Sequence, residues 1–275
     1  MTAQVLERLR CPVCHASVYA DGDGKICACK GARRHTFDFS KSGYLNLSRA
    51  AQSGGGDSKE AVRSRSAFLE AGYYRPLSDA VNRLLDRVGA ESVLDAGCGE
   101  GYYTNRMADL RVTFGADLSV HGIDYAAKQS KRLGSEAGFA VASLFELPVA
   151  DESFSAVTNL FAPCAETEFS RVLDTGGFLI VVGAGERHLW GLKEAIYESP
   201  YLNRERRDLP TEMRLAERLR VTDTVTVEGR EAIAALFSMT PYYWRTGEAD
   251  REKLSLLDRL TTEIDFDIFL YRKEA

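Results

Sequence analysis

Four cysteines and two histidines fall within the stretch "RCPVCHASVYADGDGKICACKGARRHTF", residues 10 to 37, of a 275-residue chain that holds six cysteines and four histidines in all. A structural zinc takes four Cys or His ligands in a tetrahedron, commonly from two short knuckles. Cys11 and Cys14 form the first knuckle by their CxxC spacing. The second lies among Cys27, Cys29 and His35. Cys29 and His35 are separated by five residues, within the spacing of zinc knuckles, whereas Cys27 and His35 are separated by seven. In a strand Cys27 and Cys29 share a face and compete for one corner of the metal. The expected ligands are therefore Cys11, Cys14, Cys29 and His35, with Cys27 as the rival for the third position. His15 follows Cys14 directly, would strain the knuckle if it bound, and is expected at the surface. Clustered cysteines in a chain of this size without a secretion signal point to metal rather than disulfides.

A second constellation follows the strand-like "SVLDAG". The run "DAGCGEGYYTNRMA" sets Asp95, Gly97, Gly99 and Gly101 at two-residue steps before a helix. Strand, tight glycine turn and helix start let the backbone approach a nucleotide-type ligand closely. The spacing is GxGxG after an Asp, not the GxGxxG of dinucleotide folds. The next strand, "VTFGADLS", ends in Asp117, where a carboxylate can accept hydrogen bonds from both ribose hydroxyls. A turn with Leu147 and Pro148 then leads into the apolar "FSAVTNLF".

Elements must position these groups. Runs "SVLDAG", "VTFGADL", "FAVAS", "FSAVTNLF" and "GFLIVVGAG" alternate with helix-like segments, which predicts a mostly parallel sheet wrapped by helices on both faces. "RVTDTVTVE", a helix near 229 to 238 and "FDIFLYRKE" add later strands. Residues 59 to 88 read as two helices broken before Pro76, because proline disfavours helix at the residue preceding it. "FDFSKSGYLNL" suits a short strand or two beside the metal. Gly54 to Gly56 read as a linker. The expected division is a zinc module over 1–48, a Gly-rich linker and helix over 49–75, and a catalytic domain over 76–275.

The hydrophobic fraction of 45% supports a real core. No apolar run reaches the roughly 18 residues that cross a bilayer, and "MTAQVLERLR" lacks signal-peptide order, so the expected location is the cytoplasm. The net charge is −5, yet residues 1 to 75 carry 12 Lys and Arg against 7 Asp and Glu. A basic front end on an acidic body can mark an interaction surface.

Over residues 90 to 185 the pattern resembles the class I (Rossmann-like) S-adenosylmethionine-dependent methyltransferases. The resemblance implies that the loop from Asp95 to Gly101 lies beside the methionine part of the cofactor while Asp117 holds the ribose. With "LRCPVCHASV", "CKGARRHTFDFSKSGYLNL", "GDSKEAVRSRSAFLEAGYYRPL", "NLFAPC", "ERHLWGLK" and "MTPYYWR" added, nearly the whole chain resembles the RlmA family, the 23S ribosomal RNA guanine-N1 methyltransferases. The "GDS" before the helix is closer to the type I branch. The resemblance implies zinc on Cys11, Cys14, Cys29 and His35, and Tyr74, the Gly99 and Glu100 pair and His188 at the cofactor. It also implies a basic cleft for an RNA hairpin and a homodimer. One departure is the Cys27 to His35 segment, longer than in members with a CxxxH spacing.

The implied reaction transfers a sulfonium methyl group to guanine N1, with nucleophile, methyl carbon and sulfur in line. N1 carries a proton in neutral guanine, so a base or stabilisation at O6 is needed; the sequence names no general base. The target must be a loop or flipped nucleotide. Asn159 could bond the base edge, or only cap a strand, and Phe161 could stack on the base. Lys30, Arg33, Arg34, Lys41, Arg63 and Arg65 are expected at phosphates. Competing readings are a small-molecule methyltransferase and a zinc-dependent RNA-binding protein whose methyltransferase domain is inactive.

Overall fold

The structure, a computed structural model, describes residues 1–49, 57–243 and 246–274. The Gly54 to Gly56 linker, and Trp244 and Arg245 of "MTPYYWR", lie outside the described residues. In chain order the elements are α1 (Ala3–Arg8), β1 (Val18–Ala20), β2 (Ile26–Cys29), β3 (Thr36–Asp38), β4 (Leu45–Asn46), α2 (Lys59–Glu70) and α3 (Arg75–Arg87). There follow β5 (Ser92–Ala96), α4 (Tyr102–Met107), β6 (Val112–Asp117), α5 (Val120–Leu133), β7 (Gly138–Val141), β8 (Phe154–Leu160), α6 (Glu166–Val172) and β9 (Leu173–Ala184). The chain closes with α7 (Trp190–Ile196), β10 (Arg214–Glu228), α8 (Arg230–Ser238), α9 (Glu248–Ser255) and β11 (Arg259–Arg272).

The ribbon of β1, β2 and β3 is a small antiparallel sheet. The large sheet runs β10-β11-β9-β8-β5-β6-β7-β4, parallel from β9 to β4, with β11 antiparallel to both β9 and β10. The chain reverses strand order beside β5, so the ends of β5, β6 and β8 open onto the crevice where such sheets bind ligands. Helices cover both faces, which is why the central strands read as nearly continuous apolar runs. In β9, Leu179 and Val181 face one cluster and Ile180 and Val182 the other; β5 splits Leu94 and Ala96 from Val93 in the same way. This is the two-residue period of a strand.

The break between α2 and α3 falls where proline predicts it, with Pro76 in the first turn of α3. Ser58 caps α2 by accepting from the Ala61 N–H at 3.1 Å.

The zinc ribbon is less separate than its sequence suggests. β4 pairs in parallel with β7, Leu45 opposite Ala140. The Arg10 N–H donates to Pro148 O, and Ser42 Oγ donates to Asp124 on α5 at 2.6 Å. Val5, Leu9, Cys11, Leu45 and Leu47 share one apolar cluster with Leu94, Phe114 and Val157 of the large sheet. A module of this size buries too little surface to stand alone, and here the large sheet completes its core.

Candidate functional site

In the ribbon, the ligand atoms of Cys11, Cys14, Cys29 and His35 all lie within 4.8 Å of one another. Cys14 Sγ and Cys29 Sγ are 3.6 Å apart, and His35 Nδ1 is 3.5 Å from both Cys11 Sγ and Cys29 Sγ. A tetrahedron with zinc–sulfur bonds of about 2.3 Å and zinc–nitrogen bonds of about 2.0 Å has edges of about 3.5 to 3.8 Å. The donor set fits zinc. The ends of two turns supply it, and Gly31 is required beside it, because a Cβ there would stand 2.8 Å from Cys14 Sγ. The His35 N–H donates to Cys29 Sγ at 3.2 Å, and this bond leads the effects that hold the Cys29 thiol down to about 6. Cys27 lies outside the cluster, buried in the apolar core, and burial pushes its thiol up to about 11. His15 is exposed.

The glycine turn forms one wall of a cavity of about 290 Å³ at the ends of β5, β6 and β8. Of the residues singled out from the sequence, Tyr74, Asp95, Gly97, Gly99, Glu100, Asp117 and Phe161 line it, together with Arg65 and Tyr103. Gly101 and His188 do not. Gly101 shapes the turn from behind: its φ is +77°, and a Cβ there would sit 2.6 Å from the Ala126 Cβ. Gly97 packs face to face with Ala162, leaving no room for any side chain.

Asp95 is 2% exposed, and its two oxygens accept from Thr104 Oγ1 at 2.6 Å and Thr158 Oγ1 at 2.9 Å. Burial raises its carboxyl to about 6 against the pull of those hydroxyls. Asp117 takes the Gly99 N–H at 3.0 Å and the Ser119 N–H at 2.7 Å, tying the end of β6 to the glycine turn.

His188 sits behind Tyr74. The Asp265 N–H donates to His188 Nδ1 at 3.2 Å, so Nδ1 carries the lone pair, and Nε2 faces Tyr74 Oη at 3.1 Å. Burial holds the imidazole down to about 3, so it is neutral. In that tautomer Nε2–H donates to Tyr74 Oη. The Tyr74 hydroxyl hydrogen is thereby left to point elsewhere, with the cavity beside it. His188 lies outside the cavity wall and is linked to it through Tyr74.

Arg65 departs from expectation here, and of the two roles open to Asn159 the structure has the capping of the strand end. Arg65 is not a free phosphate ligand: its guanidinium pairs with Glu100 and, at 2.5 Å, with Asp57, both of which also line the cavity. Asn159 is fully buried and committed within the protein. Its Nδ2 donates to Ala96 O and Pro163 O, and its Oδ1 accepts from Arg206 at 2.8 Å. Arg206 also donates to Ala162 O and Val182 O, clamping the loop that carries Phe161. Phe161 is 47% exposed at a φ of +57°, a strained backbone for a bulky residue and one that clusters at functional positions. Lys30, Arg33, Arg34, Lys41 and Arg63 are exposed, and none of them makes an ion pair among the described residues. No helix among the described residues is long and apolar enough to cross a membrane.

Tyr103, which lines the cavity, and Arg206, which clamps the Phe161 loop, stand outside the expected site residues. The doubled tyrosine after Gly101 was a signal for the first, whereas Arg206 lies in irregular chain with no local pattern.

Two family models match the chain: "RlmA, N-terminal" over residues 9–50 and "Methyltransferase domain" over residues 93–177. The chain is 33% identical over 287 residues to "Putative 23S rRNA (guanine-N(1)-)-methyltransferase YxjB" of Bacillus subtilis (strain 168), covering 96% of each. It is 31% identical over 204 residues to the "23S rRNA (guanine(748)-N(1))-methyltransferase" of Streptomyces fradiae, covering 71% of this chain and 70% of that one. Among solved structures, the one described as "Conversion of a Disulfide Bond into a Thioacetal Group during Echinomycin Biosynthesis" matches 70% of this chain and 81% of its own. Its TM-score is 0.50 at 17% identity, a likeness of fold.

Proposed function

Because the chain belongs to the RlmA family of 23S rRNA (guanine-N(1)-)-methyltransferases, we propose that it methylates N1 of an unpaired guanine in a 23S rRNA hairpin. The observation that carries this reading is the union of two sites on one core. A Cys3His cluster organises a basic ribbon, and the sheet that completes the ribbon also holds the acidic, glycine-walled cavity. A small-molecule enzyme would have no use for the ribbon.

Bound S-adenosylmethionine supplies an electrophilic methyl group. Around it, Asp117 would hold the ribose hydroxyls, and the turn through Gly97 and Gly99 would admit the methionine half. Tyr74 and Glu100 would flank that half, with His188 fixing the direction of the Tyr74 hydroxyl. The chain's contribution is chiefly positioning, which can supply much of the acceleration of an in-line displacement. Asp95, 2% exposed and bonded to Thr104 and Thr158, braces β5 against α4 and β8.

Phe161, exposed on the loop that Arg206 clamps, suits stacking on an unpaired base. Lys30, Arg33, Arg34, Lys41 and Arg63 would bind phosphates, while Arg65 stays paired with Asp57 and Glu100 in the cavity lining. A homodimer and a cytoplasmic setting belong to the same reading.

The test incubates the protein with methyl-labelled cofactor and 23S rRNA. Label in the RNA supports the reading, and label confined to small molecules overturns it. Thermal stabilisation by S-adenosylhomocysteine is a separate requirement.

A further inference from the structure

Phe161 lines the cavity with a φ of +57°, a backbone that bulky residues rarely adopt and that persists only where the surroundings over-determine it. Its own contacts supply part of the restraint. The N–H donates to Val182 O at 3.2 Å, and the ring lies against that of Phe266, with centroids 5.7 Å apart. With 47% of the residue still exposed, the ring keeps a surface to offer.

The rest of the restraint comes from a stretch remote in sequence. Arg206, its side chain 10% exposed, donates from Nη2 to Asn159 Oδ1 at 2.8 Å and to Ala162 O at 2.7 Å, and from Nη1 to Val182 O at 2.9 Å. These acceptors stand on either side of Phe161 in the chain and on the β9 carbonyl that its own N–H uses. Asp208, paired with Arg206, accepts from the Cys164 N–H at 3.3 Å. On the opposite side, Ala162 packs against Gly97 of the glycine turn.

The stretch that carries Arg206 is itself fixed. Asn203 Nδ2 donates to Gly185 O and His188 O, and the buried Lys193 donates to Tyr201 O and Asn203 Oδ1. The guanidinium is thus a rigid brace between an anchored strap and the loop. Its two terminal nitrogens diverge toward three acceptors, whereas a lysine offers its donors from a single atom.

We propose that Arg206 is a positioning residue for methyl transfer: by bridging Asn159, Ala162 and Val182 it holds Phe161 in its left-handed conformation, so that the exposed ring fixes the stacked guanine beside the cavity. The inference rests on the reading of this chain as an RNA guanine methyltransferase. It deepens that reading by giving the placement of the base to a residue outside the cavity lining. In-line transfer is steeply sensitive to such placement, since a shift of about 1 Å can cost on the order of a hundredfold in rate.

The test is a double-mutant cycle on methylation of 23S rRNA. Arg206→Lys keeps the charge and the aliphatic stem that packs on Gly183, and removes the fork. It should lower kcat/KM for RNA roughly tenfold or more, while calorimetry shows S-adenosylhomocysteine affinity within about threefold of the parent. In a Phe161→Ala background the same change should alter kcat/KM by no more than about twofold, because the residue it acts through is gone. A general loss of structure would lower cofactor affinity as well and would persist in that background. If Arg206→Lys does not fold, Gly183→Ala carries the same cycle, since a Cβ there would press on the Arg206 stem at 3.3 Å. A crystal structure of the variant should show Phe161 outside the left-handed region.

Undiminished kcat/KM, an equal loss with and without the Phe161 ring, or a Phe161 φ still near +57° in the variant would each overturn the assignment. Absence of transfer to RNA by the unaltered protein would instead overturn the functional reading on which it rests.

Discussion

Replacing Gly101 by alanine tests the packing behind the glycine turn, and Gly134 supplies its control. Both glycines adopt left-handed backbone, with φ of +77° and +68°, and both flank helices. Alanine in that region costs about 1–2 kcal/mol at either position. Both also gain the same reduction in unfolded-state freedom. The surroundings differ. Nothing lies within 4 Å of a Cβ at Gly134, whereas at Gly101 it would meet the Ala126 Cβ at 2.6 Å and Phe139 Cε1 at 3.1 Å. Carbon atoms in contact settle at about 3.5–4.0 Å, so α5 or the glycine turn must move. Overpacking of this kind costs about 1–3 kcal/mol.

Gly101→Ala should therefore lose about 1–3 kcal/mol more than Gly134→Ala, the shared terms cancelling. Urea unfolding of both variants against the parent measures the difference at constant m value. Because the strain falls on the turn that forms the cavity wall, Gly101→Ala should also weaken S-adenosylhomocysteine binding, and Gly134→Ala should not. Equal destabilisation by the two changes would refute the packing argument.

Cys29→Ser should remove the one zinc bound per chain, while Cys27→Ser should keep it, as read by metal analysis after gel filtration. His188 is neutral in the folded protein down to about pH 3 and would protonate near 6.5 when unfolded. The unfolded state binds the extra proton between those values, so stability falls as pH drops through that window. The slope from this group is about 1.4 kcal/mol per pH unit. His188→Gln should remove that share of the slope in denaturant titrations between pH 6.5 and 4, and an unchanged slope would contradict the burial argument. RNA affinity should fall steeply with added salt, and Lys30, Arg33 and Arg34 changed together to alanine should flatten that dependence.

Strand order and sites were legible to different depths. The five parallel strands from β5 to β9 were readable because strands covered on both faces must be apolar throughout, and glycine spacing located the turn between β5 and α4. β10 extends well before its readable portion, since its solvent-facing residues alternate charge and carry little apolar signal. β4 is two residues long and finds its partner nearly a hundred residues later, so no local pattern announces that the ribbon joins the large sheet. Spacing separated Cys29 from Cys27, because the turn from Cys29 to His35 is a local geometric problem. It could not foresee that Glu100 would capture Arg65, or that Arg206 would occupy Asn159. Both depend on side chains meeting across the fold. His188 is placed at the cofactor by resemblance alone, and its hydrogen bond links it to Tyr74, which lines the cavity.

The central claim is that this chain methylates guanine N1 in 23S rRNA. The most direct test incubates it with S-adenosylmethionine and unmodified 23S rRNA, then maps the product by primer extension and nucleoside mass spectrometry. The account predicts one new reverse-transcription stop at a hairpin-loop guanine, and N1-methylguanine in the digest. Methylation at another guanine atom, or at many guanines in duplex regions, would contradict it.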